Sequence, residues 1–303
     1  MVDVFIIGAG TAGLSAGIYA AREGLKTHIL EHKVYGGQIV NSPVIKNYPG
    51  MKEVSGYDFA TALYEQAKQE GVTVDFSGVD QVTKDERGFF RIQSGDTVHE
   101  AKTVVVATGA ANRRLGLDRE QELIGRGVSY CATCDGAFFR GKKVAVNGGG
   151  NTAVMDAIFL AGYCEKVYLI HRREEFRAEQ QLLDQAKEID NIQFITGATV
   201  ARLEGEEVLQ GLELNFNNGS IDEIAVSGLF VAIGQVPETS AVQSLVALDP
   251  SGYVIAGEDC RTTTEGVFAA GDCRTKDIRQ LVTAAADGAV AALAAAKYIR
   301  ASL

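Results

Sequence analysis

Val4-Phe5-Ile6-Ile7-Gly8-Ala9-Gly10-Thr11-Ala12-Gly13 begins as an unbroken apolar run and ends as a glycine-rich turn. Four apolar residues that stop at a glycine read as a buried strand. A helical pattern follows from about Thr11 to Arg22, and a second run, His28-Ile29-Leu30, closes on Glu31. Strand, glycine turn, helix and strand make a β-α-β unit. In that setting Gly8-x-Gly10-x-x-Gly13 serves a tight turn, close approach of a pyrophosphate to the helix N-terminus, and close packing of helix on strand. Glu31, roughly 20 residues past the loop, stands where an acid holds a ribose hydroxyl.

The same grammar returns later. Lys143-Val144-Ala145-Val146 runs into Gly148-Gly149-Gly150, a helical pattern extends from Asn151 to about Ala161, and Val167-Tyr168-Leu169-Ile170 follows. Gly148-x-Gly150-x-x-Ala153 is a second dinucleotide loop. Its second strand ends on His171-Arg172-Arg173, with Arg177 one turn further. Cations at that place favour a 2′-phosphate over a free hydroxyl, which selects NADPH. A solvated basic helix start is the plain alternative. Each half also has an apolar strand ending in a glycine, Val104 to Gly109 and Leu229 to Gly234. Short β-type segments with turn residues, from Phe76 to Val98 and from Glu206 to Ile224, read as an antiparallel insertion in each half, Asn217-Asn218-Gly219 being a hairpin turn. The character of the chain changes near Arg114-Leu115 and Pro237-Ser240. Beyond the second change lie a strand at Gly266 to Ala270, Gly271-Asp272 and a helix from about Arg279 to Ile299. That tail is too small for a domain and is expected to complete the first one. The predicted fold is α/β: two Rossmann-like, three-layer dinucleotide-binding domains, the second inserted into the first.

Composition sets the limits. A chain of 303 residues accommodates two cores, and 46% hydrophobic with 22% charged residues excludes disorder and fibrous repeats. Asp and Glu outnumber Lys and Arg by 39 to 29, a net charge of −10, which argues against nucleic acid or an anionic membrane as partner. The first apolar run has no cationic flank, so it is not read as a secretory signal. The Ala-rich end is broken by Asp287 and Lys297, so it is not read as a membrane span. The expected location is the cytoplasm.

Five cysteines are too sparse for a disulfide-stapled secreted fold. Cys131-Ala132-Thr133-Cys134 is half a zinc site, a redox pair or a coincidence. Zinc needs about four ligands, and Cys164, Cys260, Cys273 and the four histidines are scattered away from it. Beside two dinucleotide folds, the pair reads as a dithiol/disulfide that exchanges electrons with a cofactor. Asp135 follows, either a proton source for a leaving thiolate or an ordinary turn residue or cap. Hydride-to-disulfide transfer usually needs a flavin between donor and acceptor, which puts FAD on the first loop. Cys164, Cys260 and Cys273 read as small hydrophobes. His28, His32 and His99 lack a partner pattern, and Phe138-Phe139 reads as core.

Taken together, Gly8 to Gly13, Gly36-Gly37-Gln38, Asn47-Tyr48-Pro49-Gly50, Ala107-Thr108-Gly109, Cys131 to Gly136, Gly148 to Ala153, His171-Arg172-Arg173 with Phe176-Arg177, and Gly271-Asp272 with Arg279-Gln280 resemble the low-molecular-weight thioredoxin reductases over essentially the whole chain. The resemblance implies an FAD domain of residues 1–114 and 241–303 around an NADPH domain of 115–240 that bears the cysteines. It implies an FAD site at Gly8, Gly10, Thr11, Ala12, Gly13, Glu31, Gly36, Gly37, Gln38, Asn47, Thr108, Gly109 and Gly271, with Asp272 on the ribityl chain and Arg279-Gln280 beside the flavin. NADPH would lie on Gly148, Gly150, Asn151, Thr152, Ala153, His171, Arg172, Arg173 and Arg177. Hydride would pass from NADPH to FAD and then to the Cys131–Cys134 disulfide. In that scheme Cys134 faces the flavin, Cys131 attacks the disulfide of thioredoxin and Asp135 is the proton donor. A homodimer is implied too, with domains that rotate about crossings near Arg114 and Ser240. Asn147 stands before the second glycine cluster where the family usually has an apolar residue, and its effect on the end of that strand is open at this point. Relatives fed by ferredoxin and oxygen-using disulfide oxidases lack the second loop and the His-Arg-Arg run, both kept here. High-molecular-weight reductases carry a C-x-x-x-x-C pair soon after the first loop, and no cysteine precedes Cys131. A ferredoxin-fed reductase or one serving another carrier, and a flavin-binding sensor with a dithiol switch, remain open at this point.

Overall fold

Every residue from Val4 to Ile7 is buried, as an all-apolar strand covered on both faces must be. A computed structural model describes residues 1–42 and 44–301. The chain forms two units, one of Met1–Ala111 together with the segment from Val236 onward, the other of Asn112–Gln235. The crossings fall slightly ahead of those expected from the sequence. Backbone bonding gives the reason: Glu238 N–H donates to Gly109 O within the first unit, and Arg113 N–H donates to Gly234 O within the second.

In the first unit the strand Val2–Ile7 lies parallel between Thr27–Glu31 and Thr97–Val106, with Thr73–Phe76 beyond Thr27–Glu31. The long strand Thr97–Val106 has two neighbours along its other side. Its first half pairs antiparallel with Phe90–Ser94, and its second half pairs parallel with Val267–Ala269. The C-terminal segment therefore does return to the first sheet. Side chains alternate: Val4, Ile6 and Val105 enter the core on the helical face, while Phe5, Ile7, Val104 and Val106 enter the opposite one.

The second unit has a fully parallel sheet in the order Ile192–Thr196, Lys166–His171, Lys143–Asn147, Gly228–Val231, Val128–Ser129. The position held by Val267–Ala269 in the first unit is held here by Val128–Ser129, a strand that precedes the others in sequence. Asn147 pairs in register with Ile170 and Val231, so it leaves the strand end intact. The two insertions also differ. In the first unit Gln81–Lys84 and Phe90–Ser94 extend the main sheet, whereas Ala198–Glu204, Gly211–Phe216 and Ile221–Ala225 form a separate antiparallel sheet. That sheet supplies Val200, Leu203, Leu212 and Leu214 as a layer against Ala145, Ile170 and Leu229.

Other expectations need correction. Phe139 packs edge-on against Phe230, but Phe138 is exposed. His28 has a partner after all: parallel pairing of its strand with Thr73–Phe76 places Asp75 Oδ2 2.9 Å from its Nε2. The three remaining cysteines are buried.

The last helix, Leu281–Ala301, is long and apolar enough to cross a membrane by length and composition. One face of it is packed in the first unit, with Gly288, Ala291, Ala292, Ala295 and Ile299 buried. Small residues let it lie directly on the first helix, Thr11–Arg22. A Cβ at Gly288 would collide with the Ala12 carbonyl oxygen and come within 2.8 Å of Ala16 N, and Ser15 Oγ–H donates to Ala285 O at 2.7 Å. Alanine at 288 gains about 1 kcal/mol of helix propensity, but overpacking against backbone costs about 1–3 kcal/mol or more. Gly288→Ala should therefore lower stability in urea denaturation, opposite to the propensity effect alone.

Candidate active site

The glycines of the first loop divide by what constrains them. Gly8 has φ +102°, and a Cβ at Gly13 would collide with the Gly8 carbonyl oxygen, so the fold itself demands both. Gly10 has φ −72°, open to any residue, and a Cβ there would enter open space. Neither backbone nor packing explains it. A ligand that must touch the backbone does, beside a helix start that no side chain caps. The second loop repeats the division. A Cβ at Gly148 would strike Ala232 O and one at Gly149 the His171 ring, while Gly150, at φ −100°, again faces open space. Both loops fit a dinucleotide on this ground.

Around the first loop the structure gathers most of the sequence-predicted residues of the first unit. Gly10 bridges Gly36, Gly37 lies against the Gly10 Cα, a Cβ at Gly8 would reach Thr108, and one at Gly271 would reach the Ala12 methyl at 2.8 Å. Gly109, at φ +70°, lies between the strands Thr97–Val106 and Ala110–Asn112. Thr11 and Ala12 form the buried first turn of the helix. Glu31 already accepts Ala9 N–H at 2.7 Å and Lys33 N–H at 2.9 Å, so it shapes the loop as well as offering its remaining lone pairs. Asp272 Oδ1 and Arg279 Nε are buried without a hydrogen-bond partner among the described residues. Burial raises the Asp272 carboxyl above its usual range, with Lys276 and Arg279 opposing. Such unpaired groups cost stability unless a ligand satisfies them, which fits a hydroxyl-rich chain at Asp272. Arg279 stacks on Tyr253, Asn47 Nδ2–H donates to Gln280 Oε1, and Gln38 donates to Ala110 O.

One supporting group escaped the sequence reading. Asp287, the one acidic residue of the last helix, accepts two hydrogen bonds from Arg274 at 2.9 Å each, one from Lys276 Nζ and one from Gly271 N–H. Arg274 is only 1% exposed. The cluster anchors the Gly271-Asp272 turn to the last helix. Burial opposes ionisation of Asp287, yet Arg274 and Lys276 outweigh it and hold the carboxyl below the usual range.

In the second unit His171 is buried with Nε2 unpartnered. Burial lowers its pKa against an opposing backbone hydrogen bond at Glu175, and the charges of Arg177, Arg172 and Arg173 lower it further. They are exposed and enter no ion pair among the described residues. The Asn151 side chain is engaged by Glu179 in both directions at 2.8 Å. Thr152 is exposed and Ala153 buried.

Cys131 and Cys134 form a disulfide, Cα atoms 5.3 Å apart, on the short turn that follows the edge strand Val128–Ser129. Ser129 Oγ–H donates to Asp135 Oδ2 at 2.6 Å. Burial raises the Asp135 carboxyl above its usual range, and the serine bond offsets part of that. Before the cysteines, the buried Glu120 accepts Tyr130 O–H at 2.6 Å and the N–H groups of Leu115 and Gly116 at 2.9 Å. Sequence reading singled out neither Ser129 nor Glu120. Among the described residues no group of His, Cys, Asp and Glu could hold a metal ion.

Comparison with known proteins decides the family. The pyridine nucleotide-disulphide oxidoreductase family matches residues 2–288. The chain belongs to that family. It is 40% identical over 299 residues to the thioredoxin reductase of Listeria monocytogenes, covering 98% of this chain and 93% of that one. The crystal structure of thioredoxin reductase from Streptococcus pyogenes MGAS5005 superposes with a TM-score of 0.95 at 38% identity, covering 99% of each chain. Thioredoxin reductase from Giardia duodenalis does so at 0.93 and 32% identity, again over 99% of each. The resemblance drawn from the motifs holds, and flavin and nicotinamide cofactors come with the family.

Removing one partner of a buried ion pair costs about 3–5 kcal/mol. Asp287→Ala should lose stability of that order in urea. Because the folded pKa of Asp287 is depressed, its contribution is complete above the unfolded value of about 4. In the wild type it should fade as the pH drops below that value, and the acid limb of the pH–stability curve should flatten in the variant.

Proposed function

We propose that this chain is an NADPH-dependent, FAD-containing thioredoxin-disulfide reductase. The observation that carries the reading is a disulfide in the same unit as a glycine loop whose second strand runs into three exposed arginines, which enter no ion pair among the described residues. Residues 1–114 and 241–303 are proposed to bind FAD, and residues 115–240 to bind NADPH. The arginines would take the 2′-phosphate, since a charge-assisted fork gives them a preference that a ribose hydroxyl cannot. On the FAD side, Gly10 admits the pyrophosphate, Glu31 the adenosine ribose and Asp272 the ribityl hydroxyls.

When bound, the flavin supplies a two-electron link from NADPH to the disulfide, opening it to a dithiol. The chain's own residues then work on the substrate. The Cys131 thiolate attacks the thioredoxin disulfide, forming a mixed disulfide and releasing one substrate thiolate, which Asp135 protonates. The Cys134 thiolate attacks Cys131 Sγ, re-forming the internal disulfide and releasing the second substrate thiolate. The sum converts NADPH, a proton and a disulfide into NADP⁺ and a dithiol. A homodimer in the cytoplasm completes the proposal. Tyr19, Val290 and Leu293, exposed on the two packed helices, supply apolar surface that a second copy would cover.

Cys134→Ser should abolish NADPH-driven reduction of thioredoxin while flavin stays bound. One charge-assisted bond contributes about 1.5–3 kcal/mol. Arg172→Ala with Arg173→Ala should therefore raise the KM for NADPH by about 10- to 100-fold or more and leave that for NADH nearly unchanged. Equal effects on both nucleotides would contradict the assignment.

A further inference from the structure

Ser129 occupies the last position of the edge strand, buried, two residues before the redox pair. Its hydroxyl has a single proton, directed to Asp135 Oδ2 at 2.6 Å rather than to Cys131 O at 3.4 Å. The same oxygen accepts Cys131 N–H at 3.1 Å. A three-member chain results, running from the backbone of the first cysteine through the serine to the carboxyl behind the second. We propose that Ser129 is a positioning residue of the dithiol reaction, holding Asp135 at the redox turn and setting the pH at which that carboxyl gives up its proton.

The surroundings leave the serine as the specific contact. The strand itself has no other titratable group, and its successor Tyr130 is engaged by Glu120. Cys131 and Cys134 are on the turn with Asp135. The helix packed against the turn, Asn151–Ala161, has one titratable side chain, Asp156, itself raised to about 7 by burial. Burial is the main influence on Asp135, and the hydrogen bond from Ser129 opposes it. A hydroxyl that donates to a carboxylate favours its charged form. Ser129→Ala must then make Asp135 a weaker acid and extend the protonated state to higher pH.

This inference rests on the reading of Asp135 as proton donor, and the experiment separates the two. In oxidised holoenzyme carrying ¹³C-carboxyl aspartate, the Asp135 resonance is identified by its loss in Asp135→Asn and titrated in wild type and in Ser129→Ala. The expected result is an upward shift of about one pH unit in Ser129→Ala, with the alkaline limb of turnover moving by the same amount and Ser129→Thr restoring both. A titration unmoved in folded Ser129→Ala would overturn the inference, as would a uniform loss of turnover at every pH. Full turnover in Asp135→Asn would overturn the donor role instead, and with it the serine's part in the reaction.

Discussion

Bare backbone at the mouth of a parallel sheet is the constraint on which both nucleotide sites depend. Gly10 and Gly150 sit where the chain leaves a buried strand for a helix, and in both places a side chain would find room and an ordinary backbone angle. Their neighbours Gly8, Gly13 and Gly148 are required by turn geometry or by contact with other backbone atoms. The distinction matters because it separates glycines that make the fold from those that leave space for a ligand. The open sides lie next to uncapped helix N-termini, where a phosphate is stabilised by aligned N–H groups.

The two units solve one topological problem with different parts of the chain. Each sheet needs a further strand on the far side of its central pair. The first unit recovers Val267–Ala269 from the C-terminal segment, and the second uses Val128–Ser129 from ahead of its own first strand. The consequence is functional. In the first unit the borrowed strand delivers Gly271-Asp272 to the first glycine loop; in the second it delivers Ser129 and then the Cys131–Cys134 turn. Equivalent positions at the ends of equivalent strands thus hold a buried, unsatisfied carboxyl in one unit and the disulfide in the other.

Most of the fold was legible because its signals are local. Helices from Thr11 and Asn151, and strands that stop at glycine, follow from apolar runs and turn residues within a short window. The groups that support the site escaped for the opposite reason. Asp287 meets Arg274 only once the last helix is folded back, and Glu120 meets Tyr130 only through the turn between them. Ser129 carried no pattern of its own; its meaning comes from Asp135 lying within reach. Phe138 and Phe139 show the same limit, since adjacent identical residues point to different surroundings.

The central claim is that reducing equivalents from NADPH reach the Cys131–Cys134 disulfide. Anaerobic titration of the holoenzyme tests it most directly, with free thiols counted at each step. Because flavin and disulfide are each two-electron acceptors, the account predicts uptake of about two equivalents of NADPH per chain, with two new thiols that are absent when both cysteines are serine. Flavin bleaching complete after one equivalent, with no thiol formed, would contradict it.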